Sequence, residues 1–124
     1  ESPVYRKGDV LYGLAWSRGA IRRAEVALVV EGYMDYVTLA AHGVENGVAP
    51  LGTAMTTHQA ELLARYAKRV VLLYDSDTAG LKATFRSGDE LLRAGADAFR
   101  LAAAVIRDHL SKKKCVYCDQ KINN

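Results

Sequence analysis

The chain has 124 residues, half of them apolar, which suits one small domain with its own core and excludes a disordered, collagen-like or repeat-array chain. No apolar run approaches the roughly 20 residues of a spanning helix, and Glu1-Ser2-Pro3 shows no basic stretch leading into an apolar one, so the chain is expected to be neither membrane-spanning nor secreted. The net charge of +3 belongs to the tail: residues 1–106 carry 12 Lys+Arg against 12 Asp+Glu, and the excess lies in residues 107–124. A balanced body supplies no long-range steering, so any affinity for polyanions must come from local placement of charge or from a metal.

In chain order, Leu11, Leu14, Ala15 and Ile21 recur at near-helical spacing after Asp9, which predicts a helix over about 10–23 with Asp9 as N-cap. Val26 to Val30 is a short apolar run rich in β-branched residues, as expected of a strand buried on both faces, and it stops at Glu31-Gly32. Met34, Val37 and Ala41 predict a returning helix stopped by Gly43, followed by a short strand from about Val44 to Ala49. Thr56 and Gln59 have capping-box spacing ahead of an apolar stripe of Leu62, Leu63, Tyr66 and Ala67. Val70 to Tyr74 is a second buried run, ending at Asp75-Ser76-Asp77, and Leu81, Phe85, Gly88 and Leu92 then predict a helix up to Gly95. Ala98 to Val105 reads equally as strand or helix. Strand and helix alternate, so the expected fold is α/β with a parallel sheet and right-handed crossovers.

In such sheets ligands bind beyond the carboxyl ends of the strands. Here those positions are acidic: Glu31 ends the first run, Asp75 the second, with Asp77 two residues on and Asp35 one helical turn past Glu31. Clustered carboxylates resist ionising together unless a cation neutralises them, and a hard ion such as Mg²⁺ is the simplest partner. The plainer reading is that Glu31 and Asp77 precede helices and simply cap them. Asp75 resists that reading, because an acid on the end of a buried strand is costly without a partner. There is no P-loop, no Gly-x-Gly-x-x-Gly and no nucleophile elbow, and His42, His58 and His109 lack metal-ligand spacing.

Val29-Val30-Glu31-Gly32-Tyr33-Met34-Asp35, Ala49-Pro50-Leu51-Gly52-Thr53-Ala54 and Tyr74-Asp75-Ser76-Asp77-Thr78-Ala79-Gly80 closely resemble the Toprim domain of bacterial DNA primases, and Lys7-Gly8 with Leu11-Tyr12-Gly13-Leu14 resembles the stretch that leads into it. The resemblance covers about residues 1–100 and implies a Toprim, Rossmann-like sheet of about four strands flanked by helices. It also implies the parent activity: a DNA-directed RNA polymerase that makes RNA primers by nucleotidyl transfer on single-stranded DNA. Carried over by position, Glu31 would be catalytic, in proton transfer or metal binding; Asp75 and Asp77 would hold Mg²⁺ or Mn²⁺, with Asp35 as an accessory acid. Lys7, Arg18 and Arg22, with Arg23 beside them, are the candidates for template or nucleotide phosphates. The implied partners are single-stranded DNA, ribonucleoside triphosphates and the nascent primer, with the replicative helicase and single-strand binding protein reached through other regions, at the replication fork in the bacterial cytoplasm. A Toprim nuclease or topoisomerase piece, or a non-catalytic binding module, is the alternative.

Family members carry a third acidic motif of the type Gly-x-Asp-Pro-Asp, whereas this chain has no Asp-Pro and runs from Arg100 into Leu101-Ala102-Ala103-Ala104. The expectation is therefore an excised piece without primer synthesis of its own, followed over 101–124 by a tail foreign to the family, of fused or vector origin. Cys115 and Cys118 are too close to staple a core, ask for no oxidising compartment, and form half a zinc site with only His109 as a nearby third donor. Zinc is not expected there.

Overall fold

The computed structural model describes residues 10–51, 54–74 and 77–102. Four helices and four strands alternate: α1 (Leu14–Ala24), β1 (Val26–Val30), α2 (Tyr33–Ala41), β2 (Gly47–Val48), α3 (Thr57–Ala64), β3 (Arg69–Tyr74), α4 (Thr78–Arg93) and β4 (Asp97–Ala102). The strands form one sheet in the order β2-β1-β3-β4, every neighbouring pair parallel. The central pair is β1 and β3, in register from Val26↔Arg69 to Val30↔Leu73. Their apolar runs reflect this central place, since a strand covered on both faces has no side to give to polar residues.

Two cores sandwich the sheet. One gathers Ile21 of α1, Ala60 and Leu63 of α3, and Ala83 and Leu91 of α4 against Ala27, Val29, Val70 and Leu72. The other sets Leu39 of α2 against Val30, Leu73 and Ala49, with Tyr12 and Tyr36 beside them. Each fully buried Val, Leu or Ile contributes about 1.5–3 kcal/mol. Among the described residues no helix is long and apolar enough to cross a membrane.

The first helix departs from expectation. It starts at Leu14, not near Val10, and its N-cap is Gly13 at φ 88, where Asp9, outside the described residues, was expected. The cause is Tyr12, which bridges antiparallel to Ala49 with backbone bonds of 2.7 and 3.0 Å and holds Leu11 and Tyr12 extended. Leu11 is buried all the same. Gly13 then turns the chain in a left-handed conformation; a β-carbon there would lie 2.3 Å from the Tyr36 ring.

Two helix faces also differ from the expected stripes. In α2 the buried residue is Leu39, while Met34, Val37 and Ala41 lie outward. In α4 the buried face is Gly80, Ala83, Thr84, Ser87 and Leu91, and Phe85 and Leu92 are 69% and 59% exposed. Small side chains bring the α4 backbone close to the sheet, which large apolar residues would prevent. The second strand is only Gly47–Val48, shorter than expected, and residues 97–102 form a strand that pairs with β3 from Arg69↔Asp97 to Tyr74↔Ala102. The capping box of α3 forms as expected: Gln59 N–H donates to Thr56 Oγ1 (3.1 Å) and Thr56 N–H to Gln59 Oε1 (2.9 Å).

Candidate metal and nucleotide site

From β1 the chain crosses by α2 to β2 on one side, and from β2 by α3 to β3 on the other, so the strand order reverses between β1 and β3. A crevice forms where connections diverge in this way, at the carboxyl ends of the two strands. Glu31 lies at the end of β1, half-buried, and Asp35 sits in the first turn of α2, also half-buried. Asp77 follows β3 and is the N-cap of α4: its Oδ1 accepts the Gly80 N–H at 2.7 Å, and the side chain is otherwise exposed. Asp75 and Lys7 lie outside the described residues.

Capping accounts for one oxygen of Asp77. The donor set of Glu31, Asp35 and Asp77 is all oxygen, as a hard divalent cation requires. Among the described residues no group of three or more His, Cys, Asp or Glu stands close enough to hold a metal. Glu31, Asp35 and Asp77 thus follow the carboxyl ends of β1 and β3 without forming a metal site by themselves.

Tyr74, the last residue of β3, was not singled out in the sequence. Val30 pairs with Leu73, so Glu31 and Tyr74 leave the sheet as neighbours. Burial pushes the Tyr74 phenol up to about 12; the nearby Ser87 hydroxyl opposes the shift and the Glu31 charge adds to it. Ser87 Oγ already accepts the Met55 N–H at 2.9 Å, and the buried Tyr74 hydroxyl makes no hydrogen bond of proper geometry.

Three aromatics gather around Tyr12. Tyr12 meets Trp16, Tyr33 and Tyr36 edge-on, at centroid distances of 6.0, 5.1 and 5.2 Å. Burial and then the neighbouring Tyr33 raise the Tyr12 phenol above its ordinary value. The cationic candidates separate around α1. Arg18 is exposed, and Arg22 lies over the Tyr66 ring, 4.6 Å from its centroid. Arg23 lies on the Trp16 side, one heptad further on.

Comparison with known proteins agrees with this architecture. The Toprim-like family pattern matches residues 28–113. A DNA primase of Halalkalibacterium halodurans is 46% identical over 95 residues, which cover 77% of this chain and 16% of the relative. The crystal structure of the Aquifex aeolicus primase, with its zinc-binding and RNA polymerase domains, superposes with a TM-score of 0.82 at 37% identity, over 91% of this chain and 30% of that one. A DnaG primase catalytic domain bound to single-stranded DNA superposes with a TM-score of 0.75 at 29% identity, over 93% of this chain and 42% of that one. The chain therefore spans only about a sixth of that curated relative, and it belongs to the Toprim-like family as a relative of the Toprim domain of bacterial DNA primases.

Proposed function

We propose that this chain supplies the acidic, metal-binding part of a primase centre, serving RNA primer synthesis from ribonucleoside triphosphates on single-stranded DNA in the bacterial cytoplasm. The observation that carries the reading is placement: Glu31 and Asp77 follow the two central strands at the reversal of strand order, in a chain of this family. Asp75 and Asp77 hold Mg²⁺ or Mn²⁺, Asp35 assists, and Glu31 accepts a proton or completes the metal's ligands. Asp75 and Asp77 would hold the ion, which would supply positive charge against the triphosphate and the leaving pyrophosphate. Lys7 and Arg18 contact phosphates, while Arg22, expected to do the same, is engaged with the Tyr66 ring. The family pattern reaches residue 113, but residues 101–124 carry no third acidic motif, so the chain alone makes no primers.

A second reading, a non-catalytic module whose acids only cap helices, is favoured by the 2.7 Å bond from Gly80 N–H to Asp77. Asp77→Asn separates the two, because Asn caps a helix as well as Asp does and removes only the charge. An NMR titration with Mg²⁺, and with sparing Mn²⁺ to broaden nearby amides, should move signals around Glu31, Asp35 and Asp77 together in the wild type and weakly in Asp77→Asn. Equal responses in the two proteins, or none at millimolar metal, would sink the metal-centre reading.

A further inference from the structure

The resemblance leaves one surface unused. Trp16 is 73% exposed, Tyr33 51% and Met34 68%. Exposed aromatics usually scatter singly, but Trp16 and Tyr33 are joined through edge-on contacts to Tyr12, so this is a connected patch. Below it α1 and α2 enclose a cleft of about 420 Å³. Trp16 and Tyr36 are its aromatic walls, Gly19, Ala20 and Ala40 leave it open, and Arg23 and Glu45 supply its charge.

Three features of α1 bear on what the patch receives. Its three charged residues, Arg18, Arg22 and Arg23, are all basic. Trp16, Gly19, Ala20 and Arg23 fall at i, i+3, i+4 and i+7, which is one face of the helix. Gly19 costs an exposed helix roughly 0.5–1 kcal/mol relative to Ala, so the α1 sequence does not favour the helix there. The Arg23 guanidinium lies over it, and a β-carbon at Gly19 would come within 3.4 Å of Arg23 Nη1. An aromatic face with a cation one turn or two along it matches a base and its flanking phosphate, the combination by which single-stranded nucleic acids are held without sequence preference.

We propose that the α1–α2 cleft and the aromatic patch at its mouth bind an unpaired nucleobase of a single-stranded nucleic acid, stacked on Trp16, with Arg23 on the adjoining phosphate. The proposal rests on the primase reading, since a primase must hold a single strand. It assigns the phosphate contact to Arg23, because Arg22 is engaged with Tyr66.

Trp16 is the single tryptophan of the chain, so its fluorescence reports the site directly. The test titrates the full 124-residue chain with dodecamers of deoxythymidylate and of uridylate, following Trp16 emission together with the anisotropy of a labelled dodecamer. Binding should quench Trp16; Trp16→Ala should weaken binding about tenfold, as expected for one stacked base, and Trp16→Phe should restore most of it. Arg23→Ala should weaken binding and flatten its salt dependence. The tighter dodecamer identifies the bound strand as template or transcript, and either supports the proposal. Binding without quenching, or unchanged in Trp16→Ala, overturns it and leaves the metal-centre reading standing. No binding of either dodecamer also overturns it, and the Mg²⁺ response of the Asp77 region, which Trp16 does not touch, then shows whether the primase reading falls as well. A blue shift of Trp16 that grows with protein concentration and needs no oligonucleotide assigns the patch to protein contact and overturns it too.

Discussion

Tyr74 carries an unusual load for a core residue: its ring is almost fully buried and, among the described residues, its hydroxyl finds no hydrogen bond of proper geometry. A buried hydroxyl left unpaired costs about 1–3 kcal/mol, so Tyr74→Phe should leave stability unchanged or raise it by about 1 kcal/mol in urea unfolding. The pH dependence has a definite sign. The phenol's folded-state value of about 12 stands above its ordinary 10.0, so its contribution is complete below pH 10 and is lost as the pH rises toward 12. Wild-type stability should therefore fall across that interval, and Tyr74→Phe should fall less; identical curves would show that the phenol does not titrate with folding. Asp77 shows what residue-level reading can reach. Its place after a buried run was legible, and so was the choice between cap and ligand; the 2.7 Å bond from Gly80 N–H, which shows the cap, came from the structure.

At the scale of elements, α3 depends on its start. The capping box satisfies two otherwise orphaned N–H groups, so Thr56→Ala should cost about 1 kcal/mol. Gln59 does more, because its amide also donates to Val10 O (2.8 Å) and Pro50 O (3.4 Å), tying α3 to the chain before α1 and to the turn after β2. Gln59→Ala should therefore destabilise more than Thr56→Ala in the same urea series; the reverse order would mean that the long-range bonds contribute nothing. This capping box was readable because its chemistry is local, as were β1 and β3, whose apolar runs record burial on both faces. The start of α1 was not, since it is decided by the pairing of Tyr12 with Ala49, 37 positions along the chain. The buried faces of α2 and α4 were misread for a related reason. Periodicity seeks large apolar residues, while α4 packs through Gly80, Ala83, Thr84 and Ser87 and carries Phe85 outward.

At the scale of the molecule, the parallel sheet and the acidic strand ends followed from the alternation of elements, because parallel sheets leave few topologies and place ligands beyond the carboxyl ends of their strands, while the order β2-β1-β3-β4 came from the structure. The aromatic patch could not be foreseen in that way, although Trp16, Gly19, Ala20 and Arg23 at one-face spacing were its only trace. Charge separates this patch from the tail. Residues 107–124 hold five basic residues, Arg107, Lys112, Lys113, Lys114 and Lys121, against Asp108 and Asp119, and account for the whole net charge of +3. Attraction of that kind follows phosphate number and salt, whereas stacking on Trp16 is short-ranged and less sensitive to salt. Truncation after Ile106 should thus lower the slope of log affinity against log salt for a single-stranded oligonucleotide by up to about 3, the value of roughly five phosphate contacts. The maximal quenching of Trp16 at saturation should stay the same. If truncation abolished the quenching while the fold persisted by circular dichroism, the tail would be holding the strand and the patch would be a bystander; if the slope did not change, the tail's charge would have no part in binding.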